Sequence, residues 1–406
     1  MTLQNSVIKK KHIAFIFFAY LGYFIYASFF NGFGASAPAM MSFYQITTAQ
    51  QGLVFTAQAI GALVVLVYFA LYGERYNKIN VFIIGMLLFG AASLLIGLTP
   101  SSFNVLILLV IISGIGYSGA DVMINGMVPE LFPKYKNTLI PLLHAFFGTG
   151  AMVTPIIITN MVSPDAPSTF GRPFLLFGIS AIAAILILAA ISRRIIPETR
   201  YADMSVAMGA VSGNPAEIFK SGKAWMVLGA SFLYFSFQIG LMSWLPTFCQ
   251  ELGMDFGTAG MILTSFFAGS LAMRFCSPLI LRKFAVRKVY ILLTLIASVA
   301  IAAALLTSDF RHMMPLMIFG GFMQGACVSL LVLMAIEAFP KKSASASSLV
   351  FIAANVASMT APLWIGALAE FIGFRTPLLI VCGFLAISAF LVCLLGRGMA
   401  SDLHAH

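Results

Sequence analysis

Twelve long apolar segments most constrain what this chain can fold into, because crossing the hydrocarbon core of a bilayer takes about 20 apolar residues in a helix. They lie at residues 12–38, 51–73, 79–98, 104–128, 139–162, 173–193, 224–246, 257–281, 289–307, 312–336, 344–369 and 376–396. The short alternating strands of a membrane barrel do not occur. The sequence therefore predicts an all-α integral membrane protein with twelve transmembrane helices.

The composition excludes a soluble protein. Hydrophobic residues make up 61% of the chain and charged residues only 9%, whereas soluble domains are about half apolar and a quarter charged. Three lysines at 9–11 precede the first segment, as in a secretory signal peptide. The apolar stretch is too long for a signal peptide and has a counterpart later in the chain, so we expect it to remain as a helix.

Lysine and arginine in the connections predict the orientation. With a cytoplasmic N-terminus, 19 of these residues lie in cytoplasmic connections and three, Arg172, Arg311 and Arg375, lie outside. The positive-inside rule then assigns both termini to the cytoplasm of a protein in the cell membrane. The net charge of +10 is spread over short loops rather than clustered on one face, which argues against nucleic-acid binding.

The sequence contains no pattern that indicates catalysis or a bound cofactor. The five cysteines show no metal-type spacing, and we interpret them as packing residues. No nucleophile–base or metal-ligand constellation recurs among the apolar segments. We therefore expect a monomeric, non-enzymatic membrane protein without metal or cofactor.

The chain repeats itself at an offset of 207 or 208 residues. The stretch "QQGLVFTAQAIG" aligns with "TAGMILTSFFAG", which places Gly52 over Gly260 and Gly61 over Gly269. "ELFPK" aligns with "EAFPK", and Pro155 aligns with Pro362. These registers predict two six-helix halves, residues 1–193 and 224–406, joined by a polar cytoplasmic loop at 194–223.

Two parallel six-helix repeats resemble the build of the major facilitator superfamily. The loop "YGERYNKI" after the second segment is similar to that superfamily's acidic-basic loop signature. The resemblance implies a secondary transporter that works by alternating access and binds its solute near the bilayer midplane between the halves.

Two charges remain deep inside apolar segments, Asp121 in the fourth and Arg274 in the eighth. Intramembrane charges are costly and normally face a cavity or a partner. Asn125 lies one helical turn after Asp121, on the same face. His144 is the only histidine well inside a segment and could relay a proton or bind a hydroxyl. The alternatives are local neutralisation for the charges and neutral packing for the histidine.

Five amides also lie within the segments, and amides suit hydroxyl-rich ligands because they both donate and accept hydrogen bonds. Each could instead join helices to one another. They are Asn31, Gln58, Gln238, Gln324 and Asn355.

Four stretches resemble the fucose–proton symporter-like family of sugar transporters. They are "FLYFSFQIGLMSWLPTFCQE" with Gln238, "MRFCSPLILRKFAVRKV" with Arg274, the Asp121–Asn125 pattern, and "LLHAFFGTGAMVTP" with His144. The resemblance implies that Asp121 matches the family's functional glutamate. One departure is that "NGFGASAP" has Gly34 where the family's symporters carry an aspartate.

The leading hypothesis is proton-coupled import of a monosaccharide-like solute. Asp121 and His144 would couple the proton, and Trp244 would stack on the sugar. The polar ligands of the solute would be Asn31, Asn125, Gln238, Arg274, Gln324 and Asn355. The alternatives are an exporter of lipophilic or cationic compounds, an uncoupled sugar facilitator, and, less favoured, a carrier in which Arg274 receives an organic anion.

Overall fold

The computed structural model describes residues 10–72, 78–99, 101–131, 136–163, 165–192, 220–339 and 343–403. Within these ranges the chain forms fourteen α-helices. They are α1 Lys10–Ala35, α2 Ala37–Tyr44, α3 Thr48–Tyr72, α4 Lys78–Gly97, α5 Phe103–Leu131, α6 Lys136–Met161, α7 Gly171–Ser192, α8 Gly222–Glu251, α9 Phe256–Leu281, α10 Val286–Leu306, α11 Phe310–Gln324, α12 Cys327–Ala338, α13 Ser343–Ile372 and α14 Arg375–Leu403.

The helices confirm the predicted all-α membrane fold. Eleven described stretches are long and apolar enough to cross a membrane, and the shorter apolar helix at Ala145–Met161 lies in the fifth predicted segment, 139–162. Large apolar side chains point away from the protein, such as Ile84, 64% exposed, and Val299, 71% exposed. Such exposure suits contact with lipid, because hydrocarbon imposes no penalty on apolar surface.

Two of the predicted segments are interrupted. The first ends as a helix at Ala35, and α2 begins after Ser36, whose hydroxyl donates to the Gly32 carbonyl at 2.6 Å. The tenth is divided at Gly325 and Ala326 into α11 and α12. Continuous apolar runs conceal such interruptions, which is why the sequence alone predicted single helices there.

The chain forms two compact units, residues 1–46 with 56–210 and residues 47–55 with 211–406. In the first unit α1 packs against α6 and α7, and α4 packs against α5 and α7. In the second unit α8 packs against α13 and α14, and α10 packs against α11 and α14. Each unit thus repeats one packing scheme, as expected from the internal sequence repeat.

Glycines let one pair of helices approach closely in each unit. In the first unit a Cβ added to Gly61 or Gly114 would collide with a backbone carbonyl, of Ile111 or Gln58 respectively. Gly269 and Gly321 have the same relation to the carbonyls of Ile318 and Phe266, respectively, in the second unit. Gly61 and Gly269 are one of the glycine pairs that the repeat aligns, so the repeated glycines mark helix crossings.

The beginning of α3 belongs to the second unit. The Thr48 hydroxyl donates to the Gly366 carbonyl of α13 at 2.7 Å. The Ala49 N–H donates to the Glu370 carboxylate at 2.9 Å, which places a negative charge at the N-terminus of α3. Gly52 lies so close to Leu363 that an added Cβ would stand 2.8 Å from its Cα.

Two regions that the sequence analysis singled out lie largely or wholly outside the described residues. They are the central loop predicted at 194–223, of which only the last residues are described, and residues 73–77 of the signature-like loop.

We expect Gly321→Ala to destabilise the protein, because the new methyl group would force α11 away from the Phe266 carbonyl of α9. Overpacking of this kind costs about 1–3 kcal/mol, and the midpoint of thermal unfolding of the purified protein measures it. Gly383→Ala is the matched control, since nothing lies within 4 Å of its added Cβ. Equal midpoints for the two variants would contradict a tight crossing at Gly321.

Candidate functional site

Asp121 lies on α5, one helical turn after Tyr117, so the two side chains share a helix face. The carboxylate is half-buried. Charged residues within membrane segments are costly and typically functional, so this position is a candidate for binding a cation or carrying a proton.

An aromatic cluster of the first unit includes Tyr117, one helical turn before Asp121. It consists of Tyr23, Tyr26 and Phe30 from α1, Tyr117 from α5 and Phe147 from α6. The rings of Tyr26 and Tyr117 stack, and the ring centroids of Tyr23 and Tyr117 lie 6.1 Å apart. The centroid of Phe147 is 6.1 Å from that of Tyr26. Aromatic faces bind the apolar face of a sugar or, by cation–π attraction, an organic cation.

Asn31 lies on α1, one turn after Ala27, and is buried. Its amide nitrogen donates to the Ala27 carbonyl at 2.8 Å, while its Oδ1 has no hydrogen-bond partner among the residues that the structure describes. A buried acceptor without a partner costs about 1–3 kcal/mol. Asn31 can therefore accept a hydrogen bond from a ligand hydroxyl.

Two predicted site residues of this unit lie on described helices, Asn125 on α5 and His144 on α6. Their side chains are outside the described part of the protein. Their proposed roles in solute binding and proton coupling stay predictions.

In the second unit, polar side chains of α8 and α11 contact each other. Tyr234 and Gln324 are fully buried, and the Tyr234 hydroxyl donates to Gln324 Oε1 at 2.6 Å. Arg274 of α9 is half-buried and close enough to Tyr234 for an electrostatic interaction. Of the predicted ligands, Gln324 contacts Tyr234 directly.

The other predicted ligands of this unit are more dispersed. Gln238 is half-buried on α8, and Asn355 is half-buried on α13, where its amide nitrogen donates to the Phe351 carbonyl at 3.0 Å. Trp244 is fully buried, its indole N–H donates to the Pro362 carbonyl at 3.0 Å, and its ring packs against Phe374. These contacts favour a structural role for Trp244, and sugar stacking by this residue stays a prediction.

Gln58 of α3 is 2% exposed, and neither its Oε1 nor its Nε2 has a hydrogen-bond partner. The sequence analysis gave it two possible roles, a ligand for hydroxyl groups or a contact between helices. Neither amide atom makes such a contact in the described part of the chain.

The repeat register relates the two polar centres. Tyr26 and Tyr234 differ by 208 positions, and Tyr117 and Gln324 differ by 207, the two offsets of the sequence repeat. Both units therefore join the same two positions, by ring stacking in the first and by a hydrogen bond in the second. The sequence analysis did not single out Tyr26, Tyr117 or Tyr234, and the repeat register aligns only Tyr26 and Tyr234 as tyrosines.

The described residues contain no group of three His, Cys, Asp or Glu side chains that could hold a metal ion. The functional geometry of the described chain is thus made of aromatic rings, amides and two intramembrane charges.

Comparison with known protein families identifies the chain. The pattern of the Major Facilitator Superfamily matches residues 19–257 and 227–403. The chain belongs to the Major Facilitator Superfamily. It is accordingly a multi-pass membrane protein of a transporter family, which handles small-molecule substrates within the lipid bilayer.

Two relatives match by sequence. An uncharacterized transporter of this superfamily, YfkL of Bacillus subtilis, is 24% identical over 69% of this chain and 70% of its own length. Bypass of stop codon protein 6 of Saccharomyces cerevisiae is 29% identical over 37% of this chain, and the match spans 30% of the yeast protein.

Solved structures share the fold at low sequence identity. A bacterial homologue of the human lysosomal transporter Spinster superposes with a TM-score of 0.75 at 16% identity, covering 95% of this chain and 96% of the homologue. The nucleoside transporter NupG gives 0.75 at 12% identity, covering 96% and 100%. A point variant of the E. coli fucose:proton symporter FucP gives 0.65 at 17% identity, covering 95% and 99%.

We expect Gln58→Leu to raise the thermal midpoint of the purified protein, because it removes two buried polar atoms that lack partners. Each unsatisfied group costs about 1–3 kcal/mol. Thr154→Val is the matched control, since its buried hydroxyl donates to the Gly150 carbonyl at 2.6 Å and its loss should not stabilise. A Gln58→Leu protein that is no more stable but cannot transport would identify Gln58 as a ligand of the solute.

Proposed function

We propose that this protein imports a monosaccharide-like solute together with a proton. The observation that carries the proposal is the half-buried Asp121, one helical turn from a ring of the aromatic cluster. Aromatic faces suit the C–H surface of a sugar, and the unpartnered Oδ1 of Asn31 suits a sugar hydroxyl. Asp121 would carry the proton, with His144 assisting.

Proton coupling follows from the cost of a charge in a dehydrated site. A carboxylate that crosses a closed state without a proton pays several kcal/mol or more, whereas the protonated form does not. A carrier that must close around its solute therefore closes more easily once Asp121 holds a proton. Import of the solute would then be driven by the proton gradient.

The comparisons support this proposal at the level of the fold. FucP is named as a fucose:proton symporter and NupG as a nucleoside transporter, and both share the architecture of this chain. Placement in the cell membrane, the inner membrane in a bacterium, with both termini cytoplasmic, is part of the proposal and rests on the distribution of Lys and Arg. The proposal also takes the protein to be a monomer.

Export of a lipophilic cation is a second candidate, because a carboxylate beside aromatic rings also fits a cation. A thermal-shift screen of the purified protein separates the two. The probes for sugar import are D-glucose, D-xylose and L-fucose. The probe for export of a lipophilic cation is tetraphenylphosphonium. Stabilisation by a sugar supports import, and stabilisation by tetraphenylphosphonium alone supports the exporter.

We expect Asp121→Asn, which mimics the protonated carboxyl group, to retain solute exchange across proteoliposome membranes but to lose accumulation driven by a pH difference. One pH unit is worth about 1.4 kcal/mol, so each coupled proton supports about tenfold accumulation per unit. For the variant, the expected ratio of internal to external solute concentration is about one. This ratio is measured by uptake of labelled sugar, using the sugar that gives the largest thermal shift.

Asp255→Asn is the matched control for this experiment. Asp255 is an exposed carboxylate that caps α9, where it accepts from the Thr258 N–H at 3.0 Å. Its contact with the Thr258 hydroxyl lowers the pKa of this carboxyl group below its usual value, so it remains charged near neutral pH. Accumulation by Asp121→Asn equal to that by Asp255→Asn would show that Asp121 is not the coupling site.

We expect Arg274→Ala to abolish transport while leaving membrane insertion intact, since one intramembrane arginine does not set topology. Arg282→Ala, an exposed position just after α9, should transport normally. Labelled uptake and the yield of membrane-inserted protein measure the two properties. Normal uptake by Arg274→Ala would assign the arginine to packing or lipid contact.

A further inference from the structure

The connection between α9 and α10 carries a cluster of basic residues. Within seven positions it has Arg282, Lys283, Arg287 and Lys288, and no Asp or Glu lies between residues 256 and 308. Lys283 and Lys288 are exposed, and neither makes an ion pair with another described residue. The two lysines therefore present positive charge that no described carboxylate pairs with.

Helix stability and topology do not explain where these charges lie. Lys283 follows the end of α9, where a cation is favourable, but Lys288 lies in the first turn of α10, where a cation is unfavourable to the helix dipole. The positive-inside rule needs cations in this connection but does not specify which side of a helix they occupy. At either offset of the repeat, only one residue of the cluster aligns with a basic residue, Arg75, so the shared fold does not require the cluster.

Lys283 lies at the end of a lipid-facing stripe of α9. Phe275 and Leu279 are both exposed. Residues 275, 279 and 283 are four apart, so they share one side of the helix. The Lys283 N–H donates to the Ile280 carbonyl at 3.0 Å, which carries the helical turn as far as the lysine. Exposed apolar side chains of this kind contact lipid chains in a bilayer, and Lys283 lies where that contact ends.

Lys288 begins a similar stripe on α10. Leu292, Leu295 and Val299 follow it at helical spacing, and all three are exposed. Both α9 and α10 pack against α11, and only residues 282–285 separate them. The two stripes are therefore joined through four residues at their basic ends.

Phe284, in the connection itself, indicates the depth at which the lysines lie. Its ring is 61% exposed, which is unfavourable in water and favourable at the boundary between headgroups and acyl chains. The connection is a hydrogen-bonded turn, since the Phe284 N–H donates to the Ile280 carbonyl at 3.1 Å. The position of the ring thus favours a connection that lies among the lipid headgroups.

We propose that Lys283 and Lys288 bind the phosphate of an anionic phospholipid whose acyl chains lie along the exposed stripes of α9 and α10. Two ammonium groups suit a headgroup with net negative charge, such as phosphatidylglycerol, whereas phosphatidylcholine carries a cation of its own. The stripes supply apolar contacts that a free phosphate cannot use. The site lies within the second unit and is independent of the proposed solute and proton.

Lipid titration of the purified full-length protein in detergent tests this proposal. The probes are dioleoyl-phosphatidylglycerol and dioleoyl-phosphatidylcholine, which share their acyl chains, with native mass spectrometry for affinity and thermal shift for stabilisation. A basic residue at an anionic membrane surface contributes about fivefold in affinity, so we expect the wild type to prefer phosphatidylglycerol by about 25-fold. Lys283→Gln/Lys288→Gln should lose this preference and keep its affinity for phosphatidylcholine.

Lys220→Gln/Arg311→Gln is the matched control, because it also removes two exposed basic residues of the second unit, outside α9 and α10. It should keep the preference. Lys283→Arg/Lys288→Arg should keep it too, since arginine also binds phosphate.

Leu279→Ala/Leu292→Ala tests the stripes. The change shortens two exposed apolar side chains without altering charge, so it should weaken binding of both lipids and leave their affinity ratio unchanged. A double variant that binds both lipids as tightly as the wild type would show that the acyl chains do not lie along these stripes.

Three further results would overturn the proposal. They are equal affinity of the wild type for the two lipids, an equal loss of preference in Lys220→Gln/Arg311→Gln, and stabilisation by glycerol phosphate as large as that by phosphatidylglycerol. The last result would indicate a site for a soluble anion instead of a lipid. Since these titrations contain no transported solute, their outcome leaves the proposed transport function to its own tests.

Discussion

The bilayer core supplies no hydrogen-bond partner, so each polar group that enters it must find one within the protein or its ligand. Hydroxyl side chains meet this demand by bonding back to their own helix, as when Ser243 donates to the Ile239 carbonyl at 2.7 Å and Thr294 to the Tyr290 carbonyl at 2.8 Å. The backbone groups find their hydrogen-bond partners within long helices, which glycines allow to pack closely. Against this background, the buried amide atoms of Gln58 and Gln324 that lack a partner among the described residues are costly exceptions.

The two units use one packing scheme for different chemistry. At equivalent positions of the repeat, the first unit stacks Tyr26 on Tyr117, and the second bonds Tyr234 to Gln324. The first unit adds acceptors, Asp121 and Asn31 Oδ1, whereas the second adds donors. The pseudo-repeat therefore preserves the helices while the side chains at equivalent positions differ in chemistry.

The sequence predicted the helices because hydropathy over about 20 residues is a direct physical requirement of the bilayer. It also indicated Asp121 and Arg274 as candidate functional residues, because charges stand out in apolar segments. It could not single out Tyr26, Tyr117 or Tyr234, since 13% of the residues are aromatic and one more ring carries little information. The hydrogen bond from the Trp244 indole N–H to the Pro362 carbonyl joins residues 118 positions apart and depends on tertiary packing that no local pattern encodes.

The interruption between α11 and α12 has a physical cause in the divergence of the repeat. In the first unit, Ser118 donates its hydroxyl to the Ala62 carbonyl at 3.0 Å, and α5 runs unbroken from Phe103 to Leu131. Its counterpart 207 positions later is Gly325, and a Cβ there would collide with the carbonyl of Ser270, the counterpart of Ala62. The second unit thus replaces a stabilising hydroxyl contact with a closer backbone approach, at a residue that weakens a helix by about 1 kcal/mol relative to alanine. Because Gln324 directly precedes this glycine, the close approach lies beside the amide whose nitrogen lacks a partner among the described residues.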